Sequence, residues 1–241
     1  AKDVLNLNFK NAVNRLSTIF NFKQDVYDTY ALLRNLQNKY QVRYIYFFLL
    51  GNFAERDKNI SANSRKFQTL IERLTENNEY GIHPSFASNS NSEKVSTEKK
   101  RLNNILDKEV TKSRQHFLML RFPETYRTLI ENDITDDYTM GYADDVGFRA
   151  SICTPFCFYD LKKDIKTSLV IHPFAVMDAT LNLYLKIKPE EALKDIEPLI
   201  NEVKSVSGTF ISVWHNESLS EVKPWIGWRN VYEQLVRKAV L

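Results

Sequence analysis

Glycine and cysteine are scarce in this chain, and long apolar runs are missing. Only six glycines are spread over 241 residues, too few and too scattered for a phosphate-cradling loop. No Gly-x-Ser-x-Gly elbow occurs, and no His-Glu-x-x-His helix. No apolar run approaches the ~20 residues of a membrane span. The first residues carry no charged-then-apolar signal pattern. The two cysteines, Cys153 and Cys157, fit free thiols in a reducing compartment, so a cytoplasmic location is the expectation. A lone Cys-x-x-x-Cys with no second pair does not make a metal motif. Basic residues are not concentrated either. The 33 Lys and Arg are mixed with 30 Asp and Glu, for a net charge of +3, without the basic stripe and interleaved aromatics of a nucleic-acid binder. Neither a nucleic-acid partner nor a membrane span is expected.

What is present is an alternation of strand-like and helix-like segments. Asp25 is placed to cap a helix bearing Val26, Tyr30 and Leu33 and ending near Tyr40. "RYIYFFLLG", residues 43–51, reads as a strand buried on both faces and closed by Gly51. Residues 63–78 form an amphipathic helix with Phe67, Leu70, Ile71 and Leu74 on one face. "EYGIHPSF", 79–86, is a short strand and its exit. A polar loop, 88–93, leads to a charged helix from about Thr97 to Leu106. "SRQHFLML", 113–120, reads as a strand, and Pro123 opens the next helix.

Residues 137–156 are irregular. Residues 167–181 are strand-like, Pro189 opens a helix that Pro198 should kink or split, 208–215 is a strand, and a last helix begins near Trp228. Strands alternating with helices argue for a mostly parallel sheet with helices outside. With no repeat and no low-complexity linker, residues 1–241 make one domain, in which 1–20 form a peripheral N-terminal helical segment.

The four histidines, His83, His116, His172 and His215, each lie within or at the end of a strand candidate. In an α/β barrel the carboxyl ends of the strands share one mouth, where imidazoles bind metals or move protons near neutral pH. For any single one of them, a hydrogen-bonded structural role is the ordinary case. The functional reading gains for His83 and His215 together, because polar or proline-containing exits follow both. His172, in "VIHPF", reads as structural. "TDD" at 135–137 offers paired carboxylates that, in a loop, would be solvated. "MGYADDVGFRAS" sets Asp144 and Asp145 near Arg149, which orients a carboxylate base or forms a surface ion pair worth little.

"YIYFFLLG", "YGIHPSF", "SRQHFLML", "DYTMGYADDVGFRAS…TPF" and "FISVWHNES" occur in the order found in polysaccharide-deacetylase-like proteins of the NodB-homology group. The sequence resembles a divergent bacterial branch of that family over roughly residues 25–240. The resemblance implies a distorted (β/α) barrel of seven or eight strands that removes acetyl groups from saccharides with a divalent metal, commonly zinc. It implies metal ligation by His83 and His116, general acid catalysis by His215, base orientation by Arg149, and an acidic support for that arginine at Asp178. Arg114, Trp214 and Asp144 are the substrate-binding candidates.

Two departures stand out. The second histidine of the family's metal motif is Ala87 here. The family's opening strand, which ends in an Asp pair, has no counterpart before residue 43, so the expectation is that it lies upstream of Ala1 and that the barrel is incomplete at the N-terminus. The leading reading is a metal-dependent saccharide deacetylase. A non-catalytic saccharide-binding or scaffolding descendant is the alternative, and self-association is left open.

Overall fold

The computed structural model describes residues 25–240; the segment 1–20, read above as peripheral, lies outside them. Among the described residues, eight strands and six α-helices follow one another in an α/β order. The sequence runs α1 (Tyr30–Tyr40), β1 (Ile45–Phe48), α2 (Arg65–Thr75), β2 (Glu79–Ile82), α3 (Ser92–Leu106), β3 (Lys112–Ser113), α4 (Glu124–Glu131) and β4 (Asp136–Asp137). It continues with β5 (Phe156–Asp160), β6 (Ile165–Ile171), β7 (Val176–Met177), α5 (Ala192–Ser205), β8 (Ser212–Val213) and α6 (Trp228–Val240). Six strands form a sheet in the order β1-β2-β3-β4-β6-β5, and β7 and β8 form a second, two-stranded sheet. All pairings are parallel except β5 with β6.

Helices cover the sheet where the periodicity predicts. Ile71 and Leu74 of α2, Leu102 of α3 and Leu129 of α4 meet Phe48, Ile82, Leu169 and Ile171 in one core. Leu33 and Leu36 of α1, Ile196 and Ile200 of α5, and Trp228, Val231 and Leu235 of α6 close a second core beside Val176. Burying each such side chain contributes about 1.5–3 kcal/mol. Among the described residues no helix is long and apolar enough to cross a membrane, and both cysteines are free.

Several boundaries differ from the sequence reading. Asp25 does not cap α1; its carboxylate accepts the Tyr27 N–H in a preceding turn. Helix α3 starts at Ser92, not near Thr97, because the Asn91 side chain accepts the N–H groups of Glu93 and Lys94. The 113–120 strand stops after Ser113, because Phe117 and Leu118 take left-handed φ values of 57° and 52° in a short 3₁₀ turn. Helix α5 runs through Pro198 as one element. Asp136 and Asp137 are not a loop pair; they are strand β4, and Asp137 is fully buried.

The parallel ladder continues one residue past several strands. His83 donates its N–H to Phe48, Arg114 to Ile82, Tyr138 to Ser113 and His172 to Asp137. Strand alternation puts these four on one face, opposite Phe48, Ile82 and Ile171. The carboxyl ends of neighbouring strands thus present a row of polar and aromatic groups.

Candidate functional site

His83 leaves β2 on a turn built from the inside. Two buried carboxylates hold its backbone. Glu98 of α3 accepts the Ser85 N–H at 2.8 Å and its hydroxyl at 2.6 Å. Asp57, from the loop after β1, accepts the N–H groups of Phe86 at 2.8 Å and Ala87 at 3.1 Å. Gly51 lets that loop approach, since a Cβ there would lie 2.6 Å from Ser85 Cβ.

Asp57 also receives His116 Nδ1 at 2.9 Å. Its burial, at 1% exposure, pushes its pKa up, but the donors from Phe86, His116 and Ala87 prevail and hold it below the ordinary value. Asp57 therefore ties the turn after β2 to the exit of β3.

The His83 and His116 rings lie 5.0 Å apart, centroid to centroid. His83 donates its Nδ1–H to the Arg114 carbonyl, which leaves Nε2 as the free nitrogen; the Asp57 bond does the same for His116. Burial first, then the neighbouring His116, depresses the His83 pKa to about 3, so the ring is neutral near pH 7. Neutral imidazoles whose second nitrogen is held by an oxygen suit a divalent metal such as zinc. His83 fits this description, and His116, its ring 5.0 Å away, offers a second Nε2. Among the described residues no group of three His, Cys, Asp or Glu forms a metal-sized cluster.

Across the mouth, Asp178 follows β7 and His215 follows β8, on neighbouring parallel strands. Asp178 is fully buried. One of its oxygens lies 2.8 Å from His215 Nδ1 and the other accepts the His215 N–H at 2.6 Å. The imidazole edge is 47% exposed. The Asp178 charge, outweighing burial, raises the His215 pKa above 6.5. His215 is near enough for its charge to bear on His83.

Arg114 lies between these halves. Its Nε donates to the Tyr138 carbonyl at 3.0 Å, and its guanidinium stacks over Phe47 at 4.6 Å. Burial lowers its pKa to about 10, countered by Asp137, Tyr138 and Asp178, so it stays charged at neutral pH.

The structure thus brings together His83, His116, Arg114, Asp178 and His215. Arg149 and Asp144 are exposed and form no ion pair among the described residues. Asp178, expected to support Arg149, holds His215 instead. Trp214 does not turn toward the mouth. Alternation along the strand sends its ring into the second core, 4.8 Å from Tyr232. His172 is held by Asp136 at 2.7 Å and stacked on Tyr138 at 4.3 Å, as a structural residue would be. Asp57 escaped the sequence reading; the available signal was an acid in the loop after a strand's carboxyl end.

No family model matches the chain, and no curated protein sequence matches it. Solved structures do. One from Mycobacterium smegmatis, assigned as a polysaccharide deacetylase, superposes with a TM-score of 0.60 over 86% of this chain and 68% of its own, at 13% identity. Another from Bordetella bronchiseptica, assigned as a polysaccharide deacetylase involved in O-antigen biosynthesis, gives a TM-score of 0.50 over 87% of this chain and 85% of its own, at 15% identity. The chain shares the fold of polysaccharide-deacetylase-like proteins.

Proposed function

We propose that this domain is a metal-dependent deacetylase acting on an N-acetylated saccharide, built on a distorted (β/α) barrel. The observation that carries the reading is the pairing of Asp178 with His215 and of His83 with His116, close enough for the His215 charge to bear on His83. The shared fold supports the substrate class.

In this reading each group has one task. Asp178 fixes the His215 tautomer with Nδ1–H inward, so Nε2 points to the mouth. The Asp178 charge raises the His215 pKa and so favours the protonated ring, whose proton would pass to the departing amine as general acid. Arg114 contributes a fixed positive charge, and its terminal nitrogens, which bond to no described residue, are free to donate to the acetyl oxygen. His83 and His116 would hold the metal through Nε2. A divalent ion held there would supply Lewis-acid polarisation of the acetyl carbonyl and of a water. Arg149 and Asp144, both exposed, would meet the saccharide rather than the reacting bond.

The test is elemental analysis after loading with zinc, on the protein and its His83→Ala and His116→Ala variants. Near-stoichiometric metal, lost in both variants, supports the assignment. No metal in the parent protein would turn the reading to a non-catalytic saccharide-binding domain.

A further inference from the structure

A cavity of about 210 Å³ lies outside the mouth, between α3, α4 and the exit of β3, lined by Ser88, Ser90, Asn91, Gln115, Arg121 and Thr128 among others. Its lining is dense in hydroxyl and carboxamide groups. Several are already used. The Ser88 hydroxyl donates to the Ser85 carbonyl, the Asn91 side chain caps α3, and the Thr125 hydroxyl accepts the Arg121 N–H. Gln115 is different. It is only 2% exposed, and its backbone N–H is bound to Thr139 at 3.0 Å, yet its carboxamide has no partner among the described residues. A buried carboxamide carries two donors and an acceptor that need partners. Ser90, Ser92 and Thr128 present further hydroxyls without described partners.

We propose that this cavity is a subsite for one neutral sugar ring of an oligosaccharide whose reacting residue sits in the neighbouring mouth. The inference rests on the saccharide reading above. Three observations select the ligand. The two charged lining residues are engaged elsewhere, Arg121 with the Asn89 carbonyl and Glu124 with Lys162 at 3.8 Å, so neither is dedicated to an anion. The volume falls below the roughly 300–1,000 Å³ of pockets for drug-sized ligands, so one ring suits it. A carboxamide beside several hydroxyls matches the alternating donors and acceptors of a polyol.

The cavity and the mouth lie on opposite sides of one stretch of chain. Gln115 stands between Arg114 and His116 in the chain, and strand alternation turns it to the opposite side from Arg114. Ser88 and Ser90 belong to the turn that Asp57 and Glu98 clamp behind His83. Arg121 donates to the Asn89 carbonyl and Asn89 to the Met119 carbonyl, which joins the two loops over which an oligosaccharide would pass.

The probes are N-acetylglucosamine and its linear trimer, titrated calorimetrically into the protein and into Thr128→Trp, which fills the cavity without touching the mouth. The expected result is trimer binding weakened about 10-fold, with monomer binding unchanged. Gln115→Leu should show the same pattern. Equal affinities of parent and variants for the trimer, or equal weakening for both probes, would overturn the subsite. Should Thr128→Trp lower the melting temperature, Ser90→Tyr blocks the cavity from the loop side and is read the same way. Absence of binding to either probe by the parent protein would remove the saccharide reading and the subsite together. Trimer binding without acetate release would remove only the deacetylase reading, leaving the subsite to stand or fall on Thr128→Trp.

Discussion

Asp178 and His215 are joined twice, by the imidazole Nδ1 at 2.8 Å and by the backbone N–H at 2.6 Å, from the ends of two adjacent parallel strands. One buried carboxylate therefore sets both the rotamer and the tautomer of the ring. Replacing it with an amide keeps the shape and removes the charge. In Asp178→Asn the His215 pKa should fall back toward or below 6.5, because the Asp178 charge is the largest cause of its elevation. An NMR titration of the ring protons reads this directly.

The same pair has a stability signature. A group whose folded-state pKa is raised stabilises fully below its unfolded value and loses that contribution as pH rises through the folded value. The His215 contribution is thus complete below about pH 6.5 and fades on the alkaline side of it. Denaturant midpoints should show this slope in the parent protein and lose it in Asp178→Asn.

Asp57 predicts a different loss. Its carboxylate serves Phe86 N–H, Ala87 N–H and His116 at once. Asp57→Ala leaves buried donors unpaired, at about 1–3 kcal/mol each. Urea unfolding should show destabilisation of about 3 kcal/mol, with zinc affinity falling alongside. Its depressed pKa gives stability present above the unfolded carboxylate value and lost as pH falls through the folded one. The parent protein should therefore lose this contribution in acid, and Asp57→Ala should lack that step.

Gly51 predicts a steric effect. An alanine Cβ would sit 2.6 Å from Ser85 Cβ and 3.2 Å from Glu98 Oε1, so the turn behind His83 must shift. Overpacking of this kind costs typically 1–3 kcal/mol. Thermal unfolding of Gly51→Ala should show it, and zinc binding should weaken because His83 moves with the turn.

Much of this arrangement was legible in the sequence where the signal was local. The continuous run 43–51 and the 3.6-residue pattern of 63–78 gave β1 and α2, since burial on one or both faces leaves its period in the chain. His83 and His215 stood out because apolar runs stop at them. Long-range relations left no such mark. Asp57 lies 29, 30 and 59 residues from the groups it binds, and Asp178 lies 37 from His215. Neither pairing leaves a local pattern, and Asp178 binds His215 rather than the arginine that the resemblance implies. The chain reversal at Phe117 and Leu118 falls inside an apolar run that suits a strand, and nothing in that run marks its left-handed φ values. Helix α3 began early for a local reason that was available, the Asn91 cap inside a polar stretch.

The most direct measurement is acetate release from an N-acetylated oligosaccharide with zinc supplied, comparing the parent protein with His215→Ala and His172→Ala. Both histidines hold a carboxylate, but His172 is stacked on Tyr138, whereas the charge of His215 bears on His83. The account predicts release by the parent protein, a loss of about 10²–10⁴-fold in His215→Ala, and near-parent rates in His172→Ala. Equal effects of the two substitutions, or no release from a zinc-loaded parent protein, would contradict it.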